Sequence, residues 1–144
     1  MVTPAEVRAE LEHRPATMRS GLLASFTLPA APESAGAARG RVRAALLASG
    51  LRDLADDAEL IVSEFVTNAV LHARSPARVT LITAGGALMI ITADSSQEPP
   101  AMSTAQKGAE SGRGLVIVDA ITGGQWGWSM SSAGKSVWAS LRLV

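Results

Sequence analysis

The chain has 144 residues, enough for one domain with a real core, and its apolar fraction of 47% is that of an ordinary globular protein rather than a disordered one. Thirteen acidic residues balance thirteen basic ones, which disfavours a partner held by counterion release, such as nucleic acid. Cysteine is absent, which excludes a disulfide framework, a thiolate zinc cage and a cysteine nucleophile.

Residues 1–19 mix charges and contain Pro4 and Pro15. They lack the apolar stretch of a secretory signal, and no later apolar run is long enough to span a bilayer. The expectation is a cytoplasmic protein with an N-terminal extension over 1–19, disordered or partner-binding, and one folded domain over 20–144. Gly21–Leu28 (GLLASFTL) is the first expected strand, ended by Pro29. An Ala- and Arg-rich helix follows, with Pro32 early in it, Val42, Leu46 and Leu47 at helical spacing, and Gly50 as its stop. Arg39, Arg41 and Arg43 are either a solvated face or a contact for an acidic partner.

A second helix is expected over Leu51–Ala73, with Asp53 as its cap and Asp56 and Asp57 in its first turns, where the helix dipole favours carboxylates. Leu54, Ala58, Ile61, Phe65, Ala69 and Ala73 share one broad apolar face, extended by Val62 and Val66. Asp57, Glu64, Asn68 and His72 form a narrow polar stripe along its edge. Such a stripe either touches water or forms the floor of a ligand pocket. In a pocket, the carboxylate suits a general base and the amide oxygen suits Mg²⁺.

The periodicity then changes. Ala77–Thr83 and Ala87–Ala93 are β-branched runs around Gly85-Gly86, the pattern of a hairpin. Asp94 ends the second run, before Ser95 and Ser96. A carboxylate there either accepts a hydrogen bond from a ligand's exocyclic amine or makes a local Asx-turn. Asp94–Glu110 reads as a loop. Ser111-Gly112-Arg113-Gly114 then opens a short apolar helix, LVIVDAI, whose free N–H groups and arginine suit a phosphate. Gln125–Met130 and Ser136–Leu143 form a closing hairpin turning at Ser131–Gly134. Lys135 either reaches a phosphate or is solvated. This order predicts an α/β (α+β) fold, a two-layer sandwich with helices on one face of a mixed, mostly antiparallel sheet.

Taken together, these segments resemble one family. ELIVSEFVTNAVLHA looks like the N box of the GHKL (Bergerat) ATP-binding fold shared by histidine kinases, gyrase-type ATPases, Hsp90 and MutL. ITADSS looks like its G1 box, GRGLVIVDAI its G2 box, and GKSVWASLRL its final strand. Within that superfamily the wording is most similar to the anti-sigma-factor serine/threonine kinases of the RsbW and SpoIIAB type, over roughly residues 20–144. The resemblance implies ATP and Mg²⁺ as cofactors. Glu64 would be the catalytic base and Asn68 the metal ligand. Asp94 would recognise the adenine amine, and Gly112, Arg113 and Gly114 would line the phosphates. His72, Ser96 and Leu115 would lie near the nucleotide, beneath a lid over 97–111. The implied partners are ATP or ADP, a sigma factor, a STAS-type anti-anti-sigma protein phosphorylated on serine, and a second copy of the chain joined through residues 21–49. No direct nucleic-acid or membrane contact is implied. The alternative is a nucleotide-dependent binding module of the same fold without kinase activity. One departure stands out: the superfamily's glycine two residues after the G1 aspartate is Ser96 here, so the loop must keep φ negative or accept strain.

Overall fold

In a computed structural model, residues 21–100 and 110–143 are described. The extension over 1–19 and most of the expected lid lie outside them. The chain runs β1 (Leu22–Leu28), α1 (Ser34–Ala48), a 3₁₀ turn (Arg52–Leu54), α2 (Ala55–Asn68), a π turn (Ala69–Ala73), β2 (Ala77–Ala84), β3 (Ala87–Asp94), α3 (Glu110–Thr122), β4 (Trp126–Ser131) and β5 (Gly134–Arg142). The five strands lie in the order β1-β2-β3-β5-β4, and every neighbouring pair is antiparallel. The expected mixed sheet is therefore antiparallel throughout.

Local chemistry explains most boundaries. Gly85 and Gly86 form the two-residue β2–β3 turn, both with positive φ (59° and 77°), the geometry of the tight hairpin turn that matches strand twist. At the end of α1, the Leu51 N–H donates to the Leu46 carbonyl and the Gly50 N–H to that of Leu47, the paired bonds of a Schellman stop. Two expectations shift. Asp53 does not cap α2; it lies in the 3₁₀ turn, and Leu54 occupies the cap position without a side-chain bond. Leu47 is 40% exposed, so the buried stripe of α1 is Ala38, Val42 and Leu46.

The helices cover one face of the sheet. Ala58, Ile61, Val62, Phe65 and Val66 of α2 pack on Val79, Leu81, Leu88, Ile90, Val137 and Ala139 of the strands, in one core. Strand side chains alternate between faces, so Thr92 and Asp94 on β3, and Lys135 on β5, point to the same side as Leu88, Ile90, Val137 and Ala139. The opposite face carries a smaller apolar cluster of Ala84, Met89 and Trp138. The three arginines of α1 are engaged within the chain. Arg43 bridges to Asp56 and Glu59, Arg39 donates to the Ser63 hydroxyl at 2.7 Å, and Arg41 stands 5.0 Å above the Phe26 ring.

Candidate functional site

The polar stripe of α2 lies on the half-buried flank of the helix. Ile61, Val62, Phe65 and Val66 are buried, whereas Glu64 and Asn68 are half-buried. Glu64 faces the start of α3. A Cβ built on Gly114 would collide with the Glu64 carboxylate, its carboxyl carbon lying 3.0 Å away. Glycine at 114 thus leaves the space that the carboxylate fills. Partial burial pushes the Glu64 carboxyl above the ordinary carboxylate range, because water that would stabilise the charge is displaced. A raised carboxyl beside a helix start has the character of a proton acceptor poised for catalysis.

Helix α3 is described from Glu110 onward, and Gly112 and Arg113 lie among its first described residues. The side chain of Leu115 is fully buried in the core, which leaves its backbone to face a ligand.

The α-helix stops at Asn68, and the chain continues through the π turn, whose wider loop breaks the four-residue spacing of the stripe. His72 consequently lies exposed in that turn, and it is not hydrogen-bonded to Glu64 or Asp94 among the described residues. Arg74 follows in the left-handed region (φ 50°), before Ser75 and Pro76. The buried Ser75 hydroxyl accepts the Ser95 N–H at 3.1 Å, which ties the end of the α2 segment to the end of β3.

At that strand end the carboxylate of Asp94 is satisfied in two ways. Its Oδ1 accepts the Ser96 N–H at 2.8 Å, which is the Asx-turn. Lys135 Nζ donates to Oδ2 at 3.0 Å and to Oδ1 at 3.3 Å. The two side chains are 3% and 4% exposed, so this is a buried ion pair, held by the direct register of Asp94 against Lys135 across β3 and β5. Lys135 is therefore neither solvated nor extended toward a phosphate; the strand pairing turns it inward. Gly134 packs its backbone on this turn. With φ at 143°, it has no room for a Cβ, which would strike the Asp94 carbonyl. Ser96 carries no left-handed strain, because Arg74 is the one described non-glycine residue with positive φ. Thr92, one pleat inward from Asp94, is 2% exposed, and its hydroxyl has no hydrogen-bond partner among the described residues.

A cavity of about 630 Å³ lies mainly on the outer face of the sheet, lined by Thr27, Arg78, Ala93, Ser129 and Ser136, and reaches Asp94, Gly134 and Lys135 at the strand ends. Contacts link four segments in pairs: Glu64 with Gly114, Ser75 with Ser95, and Asp94 with Lys135. The donor set has the features a purine nucleotide needs: a carboxylate at a strand end, a glycine-containing helix start, a half-buried amide and a buried hydroxyl without a partner. Among the described residues there is no group of three or more His, Cys, Asp or Glu side chains that could hold a metal by itself. Asn68 fits a magnesium ion that is bound chiefly through substrate phosphates, a mode needing only one or two protein ligands.

Comparison with known proteins agrees with this geometry. Among curated proteins, none matches the chain. A solved structure of the RsbU and RsbW domains of Rv1364c from Mycobacterium tuberculosis shares the fold, with a TM-score of 0.58 over 83% of this chain at 22% identity. The chain spans only 32% of that protein's length. No helix is long and apolar enough to cross a membrane among the described residues. The profile of the histidine kinase-like ATPase domain matches residues 28–140, and with most of its length matched the chain belongs to that family.

Proposed function

We propose that this domain is an ATP- and Mg²⁺-dependent anti-sigma factor that phosphorylates a serine on a STAS-type anti-anti-sigma partner and sequesters a sigma factor in the cytoplasm. The observation that carries the reading is Glu64: a partly desolvated carboxylate resting on Gly114, at the start of the helix expected to meet the phosphates. A protein that only bound nucleotide would have no use for a raised proton acceptor there.

Mg-ATP, once bound, supplies a transferable phosphoryl group. Asn68 offers its amide oxygen to the metal. Gly112, Arg113 and Gly114 would line the phosphates, the glycines allowing close backbone approach and the arginine supplying positive charge. Asp94 accepts the adenine amine. Glu64 takes the proton of the serine hydroxyl as its oxygen attacks phosphorus, and ADP leaves. Positioning and charge neutralisation do most of the work in such a transfer, which suits a site with a single base.

A second reading is favoured by one observation. Lys135 already occupies the carboxylate expected to read the base, which suits a module that uses nucleotide only to set its shape. Incubation with γ-labelled ATP, Mg²⁺ and a STAS-type partner separates the two. Label should appear on a partner serine with wild type, and Glu64→Gln should retain nucleotide binding while losing transfer by about 10²–10⁴-fold. Equal labelling by both proteins would remove the base. Binding of ATP with no labelling by wild type would leave the binding module. ATP with Mg²⁺ at about a hundred times its Kd should add roughly 2.7 kcal/mol of stability, visible as a higher Tm. Asn68→Ala should abolish most of the Mg²⁺-dependent part, and an unchanged shift would take Asn68 off the metal.

A further inference from the structure

We infer that Lys135 is a base-reading residue: the Asp94–Lys135 pair forms one donor–acceptor edge, in which Lys135 donates to adenine N1 while Asp94 accepts from the 6-amino group. This rests on the proposed adenine-nucleotide reading and adds to it a residue for which sequence gave two other roles.

Spare hydrogen-bonding capacity points to it. An ammonium has three donors, and Lys135 Nζ makes no hydrogen bond other than those to Asp94 among the described residues. Oδ1 of Asp94 serves both the Ser96 N–H and Lys135, whereas Oδ2 serves Lys135 alone. One donor on Nζ and one lone pair on Oδ2 are therefore left side by side, on groups 96% or more buried, where an unmet polar group is costly. Thr92, on the same face of β3, adds a buried hydroxyl that also lacks a partner among the described residues. Three neighbouring residues on the helix-covered face of the strand ends thus hold unmet capacity, and two of them, Asp94 and Lys135, reach the cavity there, which describes a place that a polar ring edge completes.

The order of donor and acceptor selects the edge. Adenine presents an amine donor beside the N1 acceptor, which matches Oδ2 beside Nζ. The ion pair need not break when the base binds, so the second charge is not left buried alone. The position is also fixed mechanically. Lys135 is directly opposite Asp94 in the β3–β5 register, and Gly134 locks the preceding turn against the Asp94 carbonyl.

The test compares ATP with 1-deaza-ATP, which keeps the amine and lacks the N1 acceptor, each titrated with Mg²⁺ into the full chain. Wild type should bind ATP about ten- to hundredfold tighter, the range of a charge-assisted hydrogen bond. In Lys135→Met that ratio should fall to near one. Because this variant leaves Asp94 unpaired and risks misfolding, the Asp94→Asn/Lys135→Met pair, which removes both charges, should show the same loss of discrimination. Equal binding of the two nucleotides by wild type overturns the inference, and so does a ratio that persists in the variants. Tighter ATP binding by Lys135→Met with an unchanged ratio would make the lysine a competitor for Asp94 and would equally overturn it. Absence of any ATP binding by wild type would overturn the nucleotide reading itself, which distinguishes the two failures.

Discussion

Glu64 has a signature that titration reveals. Its folded-state carboxyl is raised by burial, so the native protein holds this proton more tightly than the unfolded chain does. The contribution to stability is greatest below the ordinary carboxylate range and is lost as pH rises toward the folded-state value. Glu64→Gln carries no such charge. It should therefore unfold at a higher urea concentration than wild type at pH 7, with the advantage vanishing near pH 4. The effect should be small, because the side chain is only half-buried. Identical midpoints at pH 7 would show that the carboxylate bears no desolvation cost. If Glu64 is the base of the proposed phosphotransfer, the same shift should place the acidic limb of its rate profile above the usual carboxylate range. Gly114 makes a complementary case. Alanine is a better helix former than glycine by about 1 kcal/mol in a helix interior, so Gly114→Ala should not destabilise α3. Its methyl group, however, takes the space of the Glu64 carboxylate, whose flexible end can swing away. The expected variant is as stable as wild type, binds nucleotide, and transfers phosphate at least tenfold more slowly. Unaltered transfer would separate Gly114 from the placement of Glu64.

At the scale of elements, much was legible because period and punctuation agreed. The β2–β3 hairpin is read from two β-branched runs around Gly85-Gly86, and its register closes with Ala84 opposite Ala87. The buried face of α2 follows from its 3.6-residue period, and Ala58, Ile61, Val62, Phe65 and Val66 are buried as that period requires. The π turn over Ala69–Ala73 was not legible. Apolar spacing carries through it unbroken, and what ends the α-helix is the approach to left-handed Arg74 and to Pro76. That is why His72 leaves the line of Glu64 and Asn68. The role of Lys135 was hidden for a different reason. Its partner lies 41 residues away, and only the pairing of β3 with β5 sets the two opposite each other. No local pattern marks a lysine as buried; chemistry makes that the exception. Gly134 is the element-scale position that holds this pairing. Gly134→Ala would bring a methyl into the Asp94 carbonyl, which is backbone and cannot move aside as a side-chain tip can. A loss of about 2 kcal/mol or more is expected from strain and steric conflict together, measured by urea unfolding. A change below 0.5 kcal/mol would mean that the β5 end yields freely.

For the whole molecule, the layered arrangement leaves two strand edges unpaired among the described residues, β1 on one side and β4 on the other. Exposed backbone donors and acceptors along an edge invite pairing with another chain unless something guards them. The β1 edge begins with Leu22, which is 63% exposed, and the neighbouring α1 exposes Leu47 at 40%. The β4 edge carries Trp128 and Met130, exposed at 42% and 37%. The arginines of α1 do not decide between the edges, since they are engaged by α2 and Phe26. A homodimer through residues 21–49 would cover Leu22 and Leu47. Sedimentation across a wide concentration range should then show a monomer–dimer equilibrium in wild type. Leu22→Glu should shift it toward monomer, because pairing would desolvate a new carboxylate at the interface. Trp128→Glu should leave it unchanged. The reverse pattern would assign association to β4, and a wild-type chain that remains monomeric at every concentration would leave both edges to other partners.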